Sequence, residues 1–396
     1  ILMDMGNIVD ARKAFDEQFS YYKEHNNTKY MSDSLSNLGE ISLRIGEFDK
    51  SFDLFEKSYS IAKDLGARYP QCAALGNMGV IYLIRGRYED AVNIFKDVLL
   101  LDTDIGDKKR ISQSYGNIGI SYKELKNYDL ALKNYSKQLE ICEQIGYSLG
   151  ISKANNNFAN VYNKIGKFDK ALKHLRISIE INKNMGNQGE IAISHGSIAM
   201  NNIEMGDFDE ALTNLHKAYE IFKKIDDSRM CAMVNSYFAA LFIDKKEYSN
   251  VLKYVNQSIE VFEQIKDIPS LAKNLIYKSE ALFSLGNLDE SDEINILAQK
   301  FSKEINNQTL SLKSKIIDIK IQHAKGLVKQ KEILVLIDDL IESIKDNEGL
   351  ADLYYLKFSI DNTIENKSLA IDKYQELYNN IPRYKYIEAL KNLKIE

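Results

Sequence analysis

Four asparagines recur at one position of the sequence and carry amide groups suited to recognising a peptide backbone. They are spaced forty residues apart, at Asn37, Asn77, Asn117 and Asn157. Ser197 and Tyr237 continue the same register. An amide side chain both donates and accepts hydrogen bonds, so it can pair with an extended chain whatever side groups that chain carries. The alternative is that these amides hydrogen-bond between adjacent helices and only set the twist of the array.

A second group of polar and basic side chains is expected to project toward the side of the helices that carries these asparagines. It comprises Arg44, Lys123, Lys153, Asn160, Asn163 and Lys164. Together these side chains would make the middle of the surface polar and mildly basic. A polar, mildly basic surface favours a peptide segment with acidic side chains or a free carboxylate as the ligand. For any single lysine, the alternative is that its side chain is simply exposed to solvent and binds nothing.

Residue patterns typical of catalytic or metal sites are missing from the sequence. The five histidines show no His-x-x-x-His spacing, and the glycines form no Walker loop or dinucleotide fingerprint. Cys72, Cys142 and Cys231 are odd in number and far apart, which argues against a disulfide framework and fits a reducing, cytoplasmic setting. We therefore predict a protein that is not an enzyme and holds no cofactor or metal.

The charge balance limits the class of partner. The 396 residues include 52 basic and 57 acidic side chains, a formal net charge of −5. A protein without a basic surplus is not expected to bind nucleic acid or an anionic membrane. No apolar run is long enough to cross a bilayer. The expected partner is a protein or peptide.

A forty-residue repeat organises the chain. Glycines lie on one ladder, at Gly6, Gly46, Gly86, Gly166, Gly206, Gly286 and Gly326, with Lys126 and Lys246 on the two missing rungs. Apolar residues recur at spacings of three and four on both sides of each rung, which predicts two helices around a turn. Each glycine is expected to end the first helix in a left-handed conformation; at Lys126, the neighbouring Asn127 is an alternative site for it. Because one hairpin cannot bury enough surface alone, the hairpins should stack, giving an all-α, right-handed α-solenoid of stacked antiparallel helix hairpins.

Small and large residues alternate in register through these hairpins. One example runs Gly119, Tyr122, Tyr128, Ala131 and Tyr135. This pattern resembles the tetratricopeptide repeat, in the longer forty-residue form that is similar to kinesin light chains, Pins-type adaptors and the tails of bacterial multidomain regulators. The resemblance implies that the first helices line a concave face, where the recurring asparagine grips a peptide backbone.

The array is incomplete at one end and less regular at the other. Residues Ile1 to Met5 take the place of the last turn of a first helix, so half of a hairpin is missing and the chain is expected to be part of a longer polypeptide. We assign 1–305 to the regular array with a truncated first repeat, and 306–396 to degenerate hairpins and a capping helix. One such hairpin is predicted to pair 350–359 with 368–378, and Pro382 is expected to open the last helix.

Two functions remain open at this point. The first is a non-catalytic scaffold that holds a partner segment in the concave groove. The second is a regulatory, sensory or oligomerisation domain of a larger multidomain signalling enzyme, whose upstream domain would then be a partner within the same polypeptide.

Overall fold

The structure is a computed structural model, and it describes residues 8–25 and 27–395. Within these ranges the chain forms twenty helices. They are α1 (Ile8–Glu24), α2 (Thr28–Arg44), α3 (Phe48–Asp64), α4 (Arg68–Ile84), α5 (Tyr88–Ile105), α6 (Lys108–Glu124), α7 (Tyr128–Gln144), α8 (Ser148–Lys164), α9 (Phe168–Met185), α10 (Gln188–Met205), α11 (Phe208–Lys224), α12 (Ser228–Asp244), α13 (Tyr248–Gln264), α14 (Ile268–Ser284), α15 (Leu288–Glu304), α16 (Gln308–Ala324), α17 (Gln330–Ser343), α18 (Asn347–Asp361), α19 (Ile364–Asn380) and α20 (Tyr384–Ile395).

The helices pack as sequential antiparallel pairs, which confirms the all-α hairpin architecture. The chain divides into two compact units, Ile1–Val161 and Tyr162–Glu396. The boundary predicted at 305 and the right-handed sense of the solenoid stay predictions. The interpretation of Gly6 and of Ile1 to Met5 concerns positions outside the described residues.

Residues in the left-handed conformation end the helices every twenty residues, twice as often as the forty-residue glycine pattern. Every twentieth residue from Gly46 to Gly326 has a positive φ, between 51° and 83°. A left-handed residue ends a helix by letting the next amides bond back to its last turn, and glycine adopts that conformation at least cost. The intermediate rungs are harder to see in the sequence because Asp226, Lys266 and Asn306 hold three of them.

The structure corrects the alternative considered for the turn at Lys126. Lys126 itself takes the left-handed conformation, with φ 59°. Asn127 has φ −87° and begins the next helix, where its side chain accepts a hydrogen bond from the backbone N–H of Leu130. The asparagine is therefore used as a helix cap, which is its common role.

Small residues let the two helices of a hairpin approach each other closely. A Cβ atom added to Gly79 would lie 2.7 Å from the Phe95 ring, and one added to Gly119 would lie 2.4 Å from the Tyr135 ring. The compact residues predicted at the start of each second helix are all buried, from Ala11 to Ser291. Where that residue is Ser51, its hydroxyl donates to the Gly39 carbonyl at 2.7 Å, so the polar atom is satisfied.

The C-terminal hairpin is where the sequence places it. Helices α18 and α19 contain the predicted stretches 350–359 and 368–378. Helix α20 begins at Tyr384, two residues after Pro382, and packs against both α19 and α10. Helix α20 therefore contacts α10, which lies far before it in the chain, as well as its neighbour α19. It does more than cap the C-terminal end of unit 2.

Candidate functional site

The less buried side of the first helices forms a strip in each unit. First helices contact one another directly, α2 with α4 in unit 1, and α10 with α12 and α12 with α14 in unit 2. We call this strip the first-helix face. In unit 1 it consists of Asp33, Asn37, Glu40, Arg44, Ala73, Asn77, Val80, Ile84, Gln113, Asn117, Ile120, Glu124, Lys153, Asn157 and Asn160, all half-buried or exposed.

The asparagine row lies on the first-helix face of unit 1. Asn37, Asn77 and Asn117 are half-buried. Within the part of the chain that the structure describes, their side chains have no hydrogen-bond partner. Asn157 donates a long hydrogen bond of 3.5 Å to Gln138 Oε1. The amides of Asn37, Asn77 and Asn117 therefore each keep a donor and an acceptor available for a ligand. Of the four asparagines, Asn157 shows the alternative role, a hydrogen bond between neighbouring helices, and that bond is long.

Three of the other predicted site residues share this face in unit 1. Arg44, Lys153 and Asn160 are exposed on the strip that carries the asparagines. Lys123 lies beside that strip, about 120° around its helix from Asn117, given 3.6 residues per turn. Its ammonium group pairs with Glu124 at 2.7 Å.

The last two predicted residues fall in unit 2. Lys164 is exposed at the end of α8. Asn163 occupies the same off-strip position as Lys123 and donates to Asn201 Oδ1 at 3.3 Å. Because Asn201 is fully buried and donates in turn to the Phe168 carbonyl, this amide pair joins Asn163 to α10 and α9 within unit 2.

The first-helix face of unit 2 lacks the asparagine row, whose positions hold Ser197, Tyr237 and Tyr277, but it carries several charged residues. A cavity of about 400 Å³ lies against it, between the first helices α10 to α16 and the C-terminal helices α18 to α20. Its charged lining residues are Glu204, Asp244, Glu280, Asp352, Lys313, Lys320 and Lys385. Among the described residues, Asp244 and Glu280 make no ion pair within 4.0 Å, and the same holds for Lys313 and Lys320. The cavity therefore offers charges of both signs to a ligand.

Burial shifts the ionisation of these groups. Burial, together with Glu204 and Glu280, raises the pKa of Asp244 to about 7, although Lys385 and Lys313 oppose the shift. Burial also raises the pKa of Asp352, which accepts a hydrogen bond of 2.7 Å from the Tyr374 hydroxyl. On the basic side, burial lowers the pKa of Lys273, which lies on the same face.

The residues around Pro382 fasten α20 across this face. The Tyr384 ring packs edge-on against Phe208, 4.9 Å between centroids, and lies over Gly206. Arg383 pairs with Glu204 at 3.3 Å. Lys246 pairs with Glu388, also at 3.3 Å. The charged residues of α20 thus bind the unit's own first helices, which the sequence pattern did not predict because these partners are far away in the chain.

Residues 30–104 and 110–184 match the family model described as Tetratricopeptide repeat. Both segments are therefore assigned to the tetratricopeptide-repeat family, and the chain as a whole has the paired-helix architecture of such repeats. The two matched segments include all ten predicted site residues. No curated protein sequence is significantly similar to the chain.

Several solved structures share the fold of this chain at low identity. A Rap protein complexed with competence and sporulation factor is 17% identical, with 91% of this chain and 99% of that chain covered and a TM-score of 0.59. The Rap conjugation gene regulator of the plasmid pLS20, in complex with the Phr* peptide, is 18% identical, with 74% and 79% covered and a TM-score of 0.57. A STAND protein with a tetratricopeptide repeat sensor from Pyrococcus horikoshii is 14% identical, with 91% and 54% covered and a TM-score of 0.55.

The described residues of this repeat protein offer neither a metal site nor a membrane-spanning helix. No group of three histidine, cysteine or acidic side chains in these ranges could hold a metal ion. None of the described helices combines the length and apolar character needed to span a bilayer. The three cysteines are free thiols, and burial raises the pKa of Cys72 to about 11.

Glu348 is expected to be the main electrostatic anchor of α20 in this repeat protein. Its carboxylate binds Lys385, accepts from the Tyr386 hydroxyl at 2.9 Å and lies 3.9 Å from Arg383. Although burial acts against it, Lys385 and these partners lower the pKa of Glu348 to about 2. This stabilisation is complete above the ordinary pKa of 4.5 and is lost as the pH falls toward 2.

Replacing Glu348 with Gln should weaken the docking of α20 by about 1–2 kcal/mol at neutral pH. We expect about tenfold faster hydrogen exchange for the amides of α20, measured by mass spectrometry. Glu376→Gln is the control, since among the described residues Glu376 pairs only with Lys373 on its own helix, at 3.3 Å. Unchanged exchange in the Glu348 variant would show that this carboxylate does not anchor the helix.

Proposed function

We propose that this protein is a non-catalytic scaffold that binds an extended segment of a partner protein along the first-helix face of unit 1, within the concave groove of the array. The observation that carries the proposal is the row formed by Asn37, Asn77 and Asn117, whose amides are half-buried, equally placed and without partners in the described chain. A peptide backbone would satisfy both the donor and the acceptor of each amide.

The spacing of the row suits an extended ligand. Packed helices are about 8–10 Å apart, and an extended chain advances about 3.3 Å per residue. One asparagine would therefore meet roughly every third ligand residue. Arg44 and Lys153 are exposed cations on the same face of unit 1 as the row, which favours a segment with acidic side chains or a free carboxylate.

Peptide complexes among the structural neighbours support this proposal. One Rap protein is complexed with competence and sporulation factor, and the Rap regulator of pLS20 is in complex with the Phr* peptide. These complexes were observed for those proteins, which share the fold of this chain. Partner capture by a repeat array is thus a use to which this fold is put.

The asparagine row can be tested with selected peptides. Twelve-residue peptides would be selected from a phage-displayed random library against the wild-type chain and their dissociation constants measured by calorimetry. We expect the double variant Asn77→Ala, Asn117→Ala to bind them at least tenfold more weakly, because two pairs of backbone hydrogen bonds are lost. Both side chains lack partners in the described chain, so the melting temperature should change little.

The matched control is Asn93→Ala, which removes an exposed asparagine from the second helix α5. This variant should bind the selected peptides like the wild type. Equal affinity of the Asn77/Asn117 double variant would exclude the asparagine row from binding. Selected peptides without acidic residues would contradict the proposed preference for acidic segments.

A second candidate is a sensory or oligomerisation domain within a larger signalling enzyme. Its support is the STAND protein, whose repeats are described as a sensor and of whose length this chain covers 54%. The sequence of the complete gene would test it, since this candidate requires a catalytic domain in the same polypeptide.

A further inference from the structure

A pocket of about 540 Å³ lies in unit 2, on the opposite side of α10 from the first-helix face. Helices α9, α10 and α11 enclose it. Asn202 lines this pocket with 3% of its surface exposed, and its Nδ2 atom has no hydrogen-bond partner in the described chain. A buried donor without a partner is costly, so this position requires a physical explanation.

The same repeat position is aromatic in the neighbouring hairpins. Tyr82, Tyr122 and Tyr162 precede Asn202 at intervals of forty residues, and Phe242 follows it. Between residues 82 and 242, Asn202 is the one residue at this position without a ring, whereas nearer the ends of the array the position holds Ser42, Leu282 and Gln322. The pocket is therefore located where the repeat pattern would place an aromatic side chain.

The pocket walls are the residues that would contact such a ring. In the earlier hairpins the tyrosine rings meet three kinds of neighbour: Phe52 against Tyr82, 5.3 Å between centroids; Lys96 over Tyr122 at 5.9 Å; and His174 stacked on Tyr162 at 5.4 Å. The residues at the equivalent positions around Asn202 are Leu172, Arg176 and Asn214. All three line the pocket. An aliphatic wall and a guanidinium group suit the edge and the face of an aromatic ring.

The polar groups of the pocket are arranged to meet a hydroxyl or a carbonyl. Asn214 uses its Nδ2 atom to donate to the Glu210 carbonyl at 2.9 Å, so its Oδ1 atom accepts from His195 Nδ1 at 2.8 Å. The second ring nitrogen of the neutral His195 is then an acceptor. Burial lowers the pKa of His195, which favours this neutral form. His195 and the Asn202 amide thus offer an acceptor and a donor that have no partner in the described chain, beside the charged side chains of Arg176, Glu180 and Lys183.

The pocket is longer than a single ring. A second depression of about 380 Å³ adjoins it along α9 and shares Leu172, Arg176 and Glu180 with it. Ile177 lines this extension and is 36% exposed. A free aromatic molecule would fill only the first part, whereas a chain segment could place a ring in the pocket and continue along α9.

We propose that this pocket is a docking site for an aromatic side chain, of the tyrosine type, carried by a segment of a partner protein. The partner's ring takes the place that Tyr82, Tyr122 and Tyr162 fill in their own hairpins, beside Leu172 and Arg176. The Asn202 amide donates to the segment, and His195 accepts from it. This site is separate from the asparagine row and does not depend on the function proposed for that row.

The test uses 4-fluorophenol as a probe of the ring site, observed by fluorine NMR. The wild-type chain is expected to broaden and shift the probe signal in a saturable manner. Asn202→Tyr and Asn202→Phe each restore the repeat aromatic and should weaken probe binding at least tenfold, while the melting temperature stays the same or rises. The matched control is Ser197→Tyr, which adds the same side chain to the other side of α10 and should leave probe binding unchanged.

Blocked peptides identify the source of the ring. Acetyl-Gly-Gly-Tyr-Gly-Gly-amide should displace 4-fluorophenol at lower concentration than 4-methylphenol does, and the peptide with Ala in place of Tyr should not displace it. No probe binding to the wild type, or equal binding to Asn202→Tyr and the wild type, would overturn the site. Equal potency of 4-methylphenol and the tyrosine peptide would overturn its assignment to a protein segment.

Discussion

Replacing Tyr135 with Ala is expected to destabilise unit 1 by about 3 kcal/mol. Tyr135 is fully buried, and removing a large ring from a packed core leaves a cavity that the surroundings cannot fill. The loss should lie at the lower end of the usual range, because the Tyr135 hydroxyl is buried without a partner in the described chain. For the same reason Tyr135→Phe should stabilise the unit by about 1 kcal/mol, in line with Phe55 and Phe95 at the equivalent positions.

Gly119 lies against the Tyr135 ring and allows a second test of the same packing. Its added Cβ would lie 2.4 Å from the ring, so Gly119→Ala alone should also destabilise, by about 1–3 kcal/mol. In the double variant Gly119→Ala, Tyr135→Ala the new methyl group enters the space left by the ring and also favours the helix. The two effects should therefore be strongly non-additive when free energies of unfolding are compared in a double-mutant cycle.

Gly76→Ala is the control for this cycle. Gly76 also lies inside a first helix, but its added Cβ would meet nothing within 4 Å. That substitution should stabilise the chain by about 1 kcal/mol through helix propensity alone. Additive losses at Gly119 and Tyr135 would show that the small and large residues of the repeat do not depend on each other.

The stability of unit 2 is expected to fall as the pH rises from about 4 to about 7. The folded state holds the proton of Asp244 more tightly than the unfolded state does, since its pKa is raised from 3.8 to about 7. A group of this kind stabilises the fold fully below its unfolded pKa and loses that contribution as the pH passes through its folded pKa. Because the side chain is only half-buried and water screens it, we expect a loss of about 2 kcal/mol.

Asp244→Asn should remove this dependence, since an amide does not titrate. The variant should be more stable than the wild type above pH 7 and should have no such advantage near pH 4. Urea unfolding at pH 4.5, 6 and 7.5 measures the difference between the two proteins, with Asp209→Asn as a control that removes an exposed carboxylate from α11. A difference that does not vary with pH would show that Asp244 does not titrate in this range.

The cavity beside Asp244 links this measurement to ligand binding. A cationic group bound near Asp244 would favour the ionised carboxylate and would therefore bind more tightly as the pH rises toward 7. The uncovered amides of unit 1 carry no charge and predict no such dependence. The two first-helix faces are thus expected to select ligands of different chemistry.

Local regularity made much of the fold predictable from the sequence. Gly46 and Gly86 end helices with positive φ, and Ala91 and Ala131 lie at close helix contacts, because the left-handed turn and the tight approach each allow few residue types. The equal placement of Asn37, Asn77 and Asn117 could be predicted because the forty-residue period returns them to the same point of each first helix. The second half of the helix-end ladder was harder to predict, since Asp226 and Lys266 tolerate a conformation that glycine takes more easily.

Contacts between residues far apart in the chain were decided only by the tertiary structure. Nothing in the sequence near Arg383 or Tyr384 indicates that they bind Glu204 and Phe208, because a solvated charge and a buried ion pair look alike until the partners are brought together. The pocket at Asn202 could be predicted from the sequence only in part. The break in the repeat can be read from the sequence, but the empty ring position and its walls required three packed helices. The repeat itself was set by local sterics, which act residue by residue, while the charged cavity and the docked last helix depend on packing across the whole of unit 2.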